Sequence, residues 1–395
     1  MKKNIILVIV IIIIAALIVY LQSTIPKTSN EKVDADLKIE SIADDNSNNN
    51  NNGNQQSATT TSEESYNEPV LQLTEEDKLR IAQKSSQYPR AKELVGPDGF
   101  INIDELTLSE HLGKKVILID FWTYSCINCQ RTFPYITKWY DEYKDKGLLI
   151  VGVHTPEFEF EKDRDNVVKA AEKWDINYPI VQDNDRQIWR AYNNHYWPAK
   201  YMIDIDGFIV YTHFGEGSYA ETEKKIQELL EERNQVLGMQ EDIKKDISEV
   251  QAETPDFSGI NTPEIYFGYA FSRNQMGNSE GWHPGDIIDY QLPESETFSI
   301  NKFYLAGSWL NNQDNMELVS DSGKIILEYN SKIVNLVAGS ASPQKVKVYI
   351  DGQETDEIEI FDFDLYQLYD GNEYGQHRIE LSLPKGVMVY TFTFG

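Results

Sequence analysis

The chain of 395 residues contains two cysteines, Cys126 and Cys129, and no others. That scarcity excludes a disulfide-stapled scaffold and leaves one pair, three residues apart, free to react without scrambling against structural thiols. Positive charge is also scarce: 36 Lys and Arg against 64 Asp and Glu give a formal net charge of −28. A nucleic-acid backbone needs Lys and Arg to neutralise its phosphates and would be repelled, so no nucleic-acid partner is expected. Long apolar runs are missing beyond Leu21, and the mean hydropathy is −0.48, which excludes a polytopic membrane protein.

The single long apolar run, Ile5 to Leu21, carries no charge, follows Lys2 and Lys3, and stops at Gln22. At ~1.5 Å per residue it just reaches across a hydrocarbon core, and the lysines hold the N-terminus inside. Bulky residues run up to the polar boundary without a small-residue cleavage site, so residues 1–22 are expected to form an uncleaved, single-pass transmembrane anchor. Everything after it then lies outside the cytoplasmic membrane. Residues 23–68 are rich in Asn, Ser and Thr and include Asn48-Asn49-Asn50-Asn51-Asn52. Such a segment cannot bury enough apolar surface to offset its ordering entropy, which makes it a disordered tether.

The remaining length suits two domains. Thr74-Glu75-Glu76-Asp77 supplies a capping residue and an acidic first turn for a short helix to Ser85. Val116 to Trp122 and Leu148 to Val153 are short apolar runs, and Gln130 to Lys144 between them has Phe133, Ile136, Trp139, Tyr140 and Tyr143 at helical spacing. Strand, helix, strand in that order is the pattern of a parallel βαβ unit. A second helix over Val167 to Trp174, strands at Tyr178 to Val181, Tyr201 to Ile205 and Phe208 to Thr212, and a helix from Tyr219 to Ile247 complete a unit over residues 69–248. Asp206-Gly207 suits a hairpin turn. After a linker at 249–261, residues 262–395 read as short alternating strands with turns at Asp351-Gly352 and Asp370-Gly371, an expected β-sandwich or jelly roll. Trp282, Trp309, Tyr304, Tyr366 and Tyr369 could stack on a polymer, but aromatics at strand spacing belong more often to a core.

Cys126-Ile127-Asn128-Cys129 follows a predicted strand and opens a predicted helix. Unpaired backbone N–H groups at a helix start favour a thiolate, so Cys126 is the expected nucleophile and Cys129, one turn further in, the resolving residue. A structural zinc site would need a second CxxC or a paired-histidine motif; the six histidines are scattered singly. No metal and no cofactor beyond the Cys126–Cys129 disulfide are expected.

Asp120-Phe121-Trp122-Thr123-Tyr124-Ser125-Cys126-Ile127-Asn128-Cys129, with Pro134 eight residues after Cys126, resembles the active site of thioredoxin-fold proteins. Together with Gly147 to Phe160 and Tyr196 to Asp204, it is similar to TlpA-like and, above all, DipZ-type extracytoplasmic thiol-disulfide oxidoreductases, in which a carbohydrate-binding-module-like β domain follows. The resemblance implies an α/β thioredoxin-like fold with a mixed sheet, a cis Pro198 facing the cysteines, and a Trp197 backbone free to pair with an extended substrate. It implies that Asp120 is the buried acid that exchanges a proton with Cys129. Trp122 is expected beside the cysteines as a wall for substrate, and His154 in a solvated loop. The substrates would be thiols and disulfides of exported proteins, and the partner in the membrane an electron donor or acceptor; the absence of His or Lys between the cysteines favours a reductant or isomerase, which needs a donor. Alternatives are a thiol peroxidase on the same fold and a binding or adhesion protein that uses its β domain.

Overall fold

The computed structural model describes residues 73–252 and 255–395, so the expected anchor (1–22) and tether (23–68) lie outside the described residues. Among those described, no helix is long and apolar enough to cross a membrane. The first domain runs α1 (Glu75–Ser85), β1 (Gly99–Ile101), β2 (Val116–Trp122), α2 (Ile127–Gln130), α3 (Phe133–Tyr143), β3 (Leu148–His154), α4 (Arg164–Lys173), β4 (Ile180–Gln182), α5 (Gln187–Ala191), β5 (Ala199–Ile203), β6 (Ile209–Phe214) and α6 (Tyr219–Leu237). Its sheet has the order β1-β4-β3-β2-β5-β6, with β2, β3 and β4 parallel and the rest antiparallel. This is the mixed sheet of a thioredoxin-like fold.

Every residue of β2 is buried because helices cover both faces of the sheet, which is why the strand reads as a continuous apolar run. Alternation then assigns the faces. Ile117, Ile119 and Phe121 join a core with Leu94, Ile188 and Trp189, whereas Val116, Leu118 and Trp122 join one with Cys129, the inner side of α3, and Leu229 and Leu230 of α6. Asp120 has the parity of the second set. One polar residue in an apolar run is thereby aimed at the face that holds Cys129.

The helix expected to reach Ile247 stops at Leu237. Gly238 takes a left-handed φ of 64° and Met239 N–H bonds back to Asn234, the usual glycine stop. Ile243 is buried as the periodicity requires, but on a returning segment tied to α6 through Glu241, Asp246 and Ser248.

The second domain comprises β7 (Ile265–Tyr266), β8 (Ile287–Tyr290), β9 (Phe303–Asn311), β10 (Met316–Leu318), β11 (Ser322–Ser340), β12 (Gln344–Ile350), β13 (Gln353–Ile360), β14 (Asp364–Pro384) and β15 (Val387–Phe394). Two stacked sheets were expected; a single barrel-like sheet is found. The reason is β11, whose first part pairs with β9 and whose second part pairs with β15, while β14 follows it on the other edge. Register shifts within β11 bend it so that β11, β15, β10 and β9 close on one another. Trp309 and Tyr304 are buried within the domain, and Asp351-Gly352 makes the β12–β13 turn with both φ positive. Asp370-Gly371 is not a turn but an irregularity inside β14.

A tight contact beneath the end of β2 gives a test of packing. A Cβ on Gly152 of β3 would lie 2.8 Å from Trp122 Nε1 and 2.9 Å from Tyr178 Cε2, both in fully buried side chains. Gly152→Ala should therefore lower stability by about 1–3 kcal/mol. A thermal unfolding midpoint equal to that of the wild type would show that Trp122 yields without cost.

Candidate active site

Strand β2 ends at Trp122, residues 123–125 turn over the sheet edge, and Cys126 occupies the cap position of α2 in an extended conformation (φ −79°, ψ 115°). Its carbonyl accepts from Cys129 N–H and Gln130 N–H, each at 3.0 Å. Both thiols are free; Cys126 is half-buried and Cys129 fully buried. Burial, reinforced by the hydrogen bond and charge of Cys126, pushes the Cys129 thiol well above the usual cysteine range. The pair is thus asymmetric: one sulfur can be reached from outside and the other must find its base within the protein.

Asp120 is the carboxyl on that inner face. It is fully buried, neither oxygen has a hydrogen-bond partner, and desolvation pushes it up to about 7. The opposing influence is Lys200, directly across in the β2–β5 register, whose Nζ lies 3.8 Å from Asp120 Oδ1. That is ion-pair distance and too long for a hydrogen bond. Lys200 is itself fully buried and without a hydrogen bond, and burial lowers its ammonium against the pull of Asp120. The Tyr178 hydroxyl, also buried and unpartnered, is close enough to feel the charges of Asp120 and Cys129.

The Trp197–Pro198 bond is cis. The Pro198 carbonyl accepts from Gly215 N–H at 2.8 Å, which joins the proline loop to the end of β6. Trp197 is half-buried: its indole N–H donates to Thr155 O, its ring lies 4.3 Å from that of Trp189, and Arg186 sits over it.

Two expectations need correction. Trp122 is not a wall facing substrate; it is completely buried, edge-on to Phe133 and His154. Its parity on β2 sends it into the core together with Leu118. His154 is not solvated either, since β3 extends through it and buries it between Trp122 and Tyr124. Desolvation drops its pKa to about 3, so the imidazole is neutral. Lys200 was missed. Its signal was available: a lone lysine at an inward position of Ala199-Lys200-Tyr201-Met202-Ile203 is out of place unless paired. Glu161, buried beside the redox loop, was missed because its partner Ser125 is far away in sequence.

Residues 90–212 match the AhpC/TSA family, and residues 262–395 match the thioredoxin like C-terminal domain family. Protein DipZ of Mycobacterium tuberculosis is 35% identical over 309 residues, which are 77% of this chain and 43% of DipZ. Thiol-disulfide oxidoreductase YkuV of Bacillus subtilis is 33% identical over 140 residues, 35% of this chain and 93% of YkuV. Thiol-disulfide oxidoreductase ResA of Geobacillus kaustophilus is 31% identical over 125 residues, 32% of this chain and 68% of ResA. The chain therefore spans less than half the length of the DipZ proteins it matches.

The Asp120 carboxyl yields a pH test. Its folded pKa of about 7 stands above the ordinary 3.8, because burial disfavours the anion. The stability it contributes is thus complete below its ordinary value and is lost as pH rises through about 7. Its protonated C=O stretch in infrared difference spectra should fade over that same rise and be missing from Asp120→Asn. Lys200→Met removes the attraction for the anion and should raise the midpoint by about one unit or more. An unmoved midpoint would disprove the coupling of the two groups.

Proposed function

The chain belongs to the thioredoxin-like thiol-disulfide oxidoreductases, and from that membership we propose a membrane-anchored, extracytoplasmic enzyme that reduces or isomerises disulfides of exported proteins. The observation that carries the site assignment is the asymmetry of the pair: a half-buried Cys126 at a helix start, with Cys129 buried behind it in the face that holds Asp120 and Lys200.

In the proposed cycle the Cys126 thiolate attacks one sulfur of a substrate disulfide, and the other substrate sulfur leaves as a thiolate. Cys129 gives its proton to the Asp120 carboxylate and attacks Cys126 Sγ. The mixed disulfide breaks, the second substrate sulfur departs and is protonated, and Cys126–Cys129 is left oxidised. Two electrons have passed to the substrate, and a membrane-bound dithiol donor is required to restore the pair. Lys200 keeps the Asp120 carboxylate accessible near neutral pH; burial alone would hold it protonated. The backbone of Trp197 beside cis Pro198 offers an edge for an extended substrate segment.

The anchor rests on the uncharged run Ile5 to Leu21 behind Lys2 and Lys3, and the outward orientation on that charge asymmetry. A reductant or isomerase is favoured over an oxidant by Ile127-Asn128 between the cysteines, where neither residue is basic.

Equilibration in dithiothreitol and glutathione buffers should give a two-electron transition nearer the reducing value of about −270 mV than the oxidising value of about −120 mV. Cys129→Ser should accumulate a mixed disulfide with substrate, and Cys126→Ser should not. Absence of a reversible transition, with hydrogen peroxide consumed instead, would replace this reading with a peroxidase.

A further inference from the structure

The β domain reaches the redox loop through a short stretch after β3. Glu157 accepts from the Tyr266 hydroxyl at 2.8 Å, and Glu159 N–H donates to Asp314 at 3.0 Å. Phe158 packs on Tyr390 and Phe271, with ring centroids 5.2 and 5.7 Å away, and Phe160 on Tyr390 and Phe363 at 4.6 and 5.3 Å. Each residue from 157 to 160 therefore holds the second domain. Tyr124, two residues before Cys126, adds a hydrogen bond of 3.1 Å to Phe363 O.

Glu161 lies between that stretch and the nucleophile. It is completely buried. Oε2 accepts from Glu157 N–H at 2.6 Å and Phe158 N–H at 2.9 Å, and Oε1 accepts from the Ser125 hydroxyl at 2.7 Å and, at 3.4 Å, from Ser125 N–H. Donors thus converge on both oxygens, two backbone N–H groups on Oε2 and the Ser125 hydroxyl and N–H on Oε1, an arrangement that suits a carboxylate. An amide oxygen could serve only one of the two pairs: with it on the backbone N–H groups of Glu157 and Phe158, the NH2 group would face Ser125, whose hydroxyl must turn round to accept and whose N–H would lose its acceptor. Ser125 is the residue immediately before Cys126.

We propose that Glu161 is a positioning residue for thiol-disulfide exchange: it fixes Ser125, and through it the reach of Cys126, against the stretch on which the β domain is docked. In this reading the second domain is part of the scaffold of the redox site, because the stretch that positions Glu161 is itself held by Tyr266, Asp314, Tyr390 and Phe363. The carboxylate neither touches substrate nor exchanges a proton in the cycle. It rests on the assignment of Cys126 as nucleophile.

The test uses the full chain with Glu161→Gln, Ser125→Ala and, as a control, Glu223→Gln. Glu223 is an equally buried carboxylate that accepts from Tyr143 OH, Ser248 N–H and Ser248 OH, away from the cysteines. The readouts are the pH profile of Cys126 alkylation by iodoacetamide, kcat and KM for an exchanged model disulfide, and the thermal midpoint. Glu161→Gln should slow alkylation and kcat on the order of tenfold with KM nearly unchanged. Ser125→Ala should shift both in the same direction, and the double variant should lose no more than the worse single one, as coupled partners do. Glu223→Gln should lower the midpoint and leave the alkylation profile intact. The proposal is overturned if Glu161→Gln loses only stability, or if Glu223→Gln slows Cys126 equally. Should Glu161→Gln not fold, Ser125→Ala decides alone, since it leaves the backbone partners of Glu161 in place. A wild-type chain whose Cys126 neither alkylates nor exchanges would instead defeat the functional reading itself.

Discussion

Beneath Cys129 an ionisable pair is held in an apolar face of the sheet, with Asp120 and Lys200 3.8 Å apart and neither hydrogen-bonded. Removing two charges from water costs several kcal/mol each, and attraction at that separation offsets it only in part. Well-packed apolar residues would make a more stable core. The arrangement fits the proton exchange between Asp120 and Cys129 that we propose, and much of the first domain can be understood as support for the pair. Parity on β2 aims Asp120 inward, the β2–β5 register sets Lys200 opposite, and α3 and α6 close the face. Local rules broken at one place inside an otherwise consistent fold are what a functional site looks like.

Much of this was legible in the sequence because it depends on short-range pattern. The CxxC pair between a strand and a helix and the Thr74 cap lie within a few residues of their partners, while the burial of Asp120 came only with the family resemblance. The sheet's central strands were legible for the same reason, as uninterrupted apolar runs. What was not legible depends on long-range register. Nothing near Lys200 in the chain says that it will face Asp120, eighty positions earlier by number, and nothing near Glu161 points to Ser125. His154 looked like a loop residue because Thr155 and Pro156 follow it, yet a parallel partner on each side carries the strand one step further. Gly238 was a readable stop, overridden by an apolar periodicity that belongs in fact to a returning segment.

The second domain illustrates another limit. Its alternating strands identify an all-β unit, but alternation cannot tell two stacked sheets from one sheet that closes on itself. That choice is made by bulges in β11, where a strand changes neighbours without changing its inward pattern. Here the core is continuous around a single curved sheet, and Trp309, Tyr290 and Tyr329 fill it in place of lying on a polymer-binding face. The face it turns to the first domain is aromatic as well, with Tyr266, Phe271, Phe363 and Tyr390 around Phe158 and Phe160.

Strand order also bears on how the protein is made. Among the described residues, β7, at the start of the second domain, pairs with β15 alone, and the second half of β11 has β15 on one side and β14 on the other. During synthesis β7 must therefore wait, unpaired, until residues 387–394 have emerged, whereas β8, β9, β10 and the first half of β11 can pair with one another before then. The sheet of the thioredoxin-like domain is complete by Phe214 and its covering helix by Leu237, so its own layers have no such delay. In the interval Phe158 and Phe160 lack the cover of Tyr266, Phe271, Phe363 and Tyr390, so apolar surface stays open beside Glu161 and its partner Ser125 until the last strand arrives.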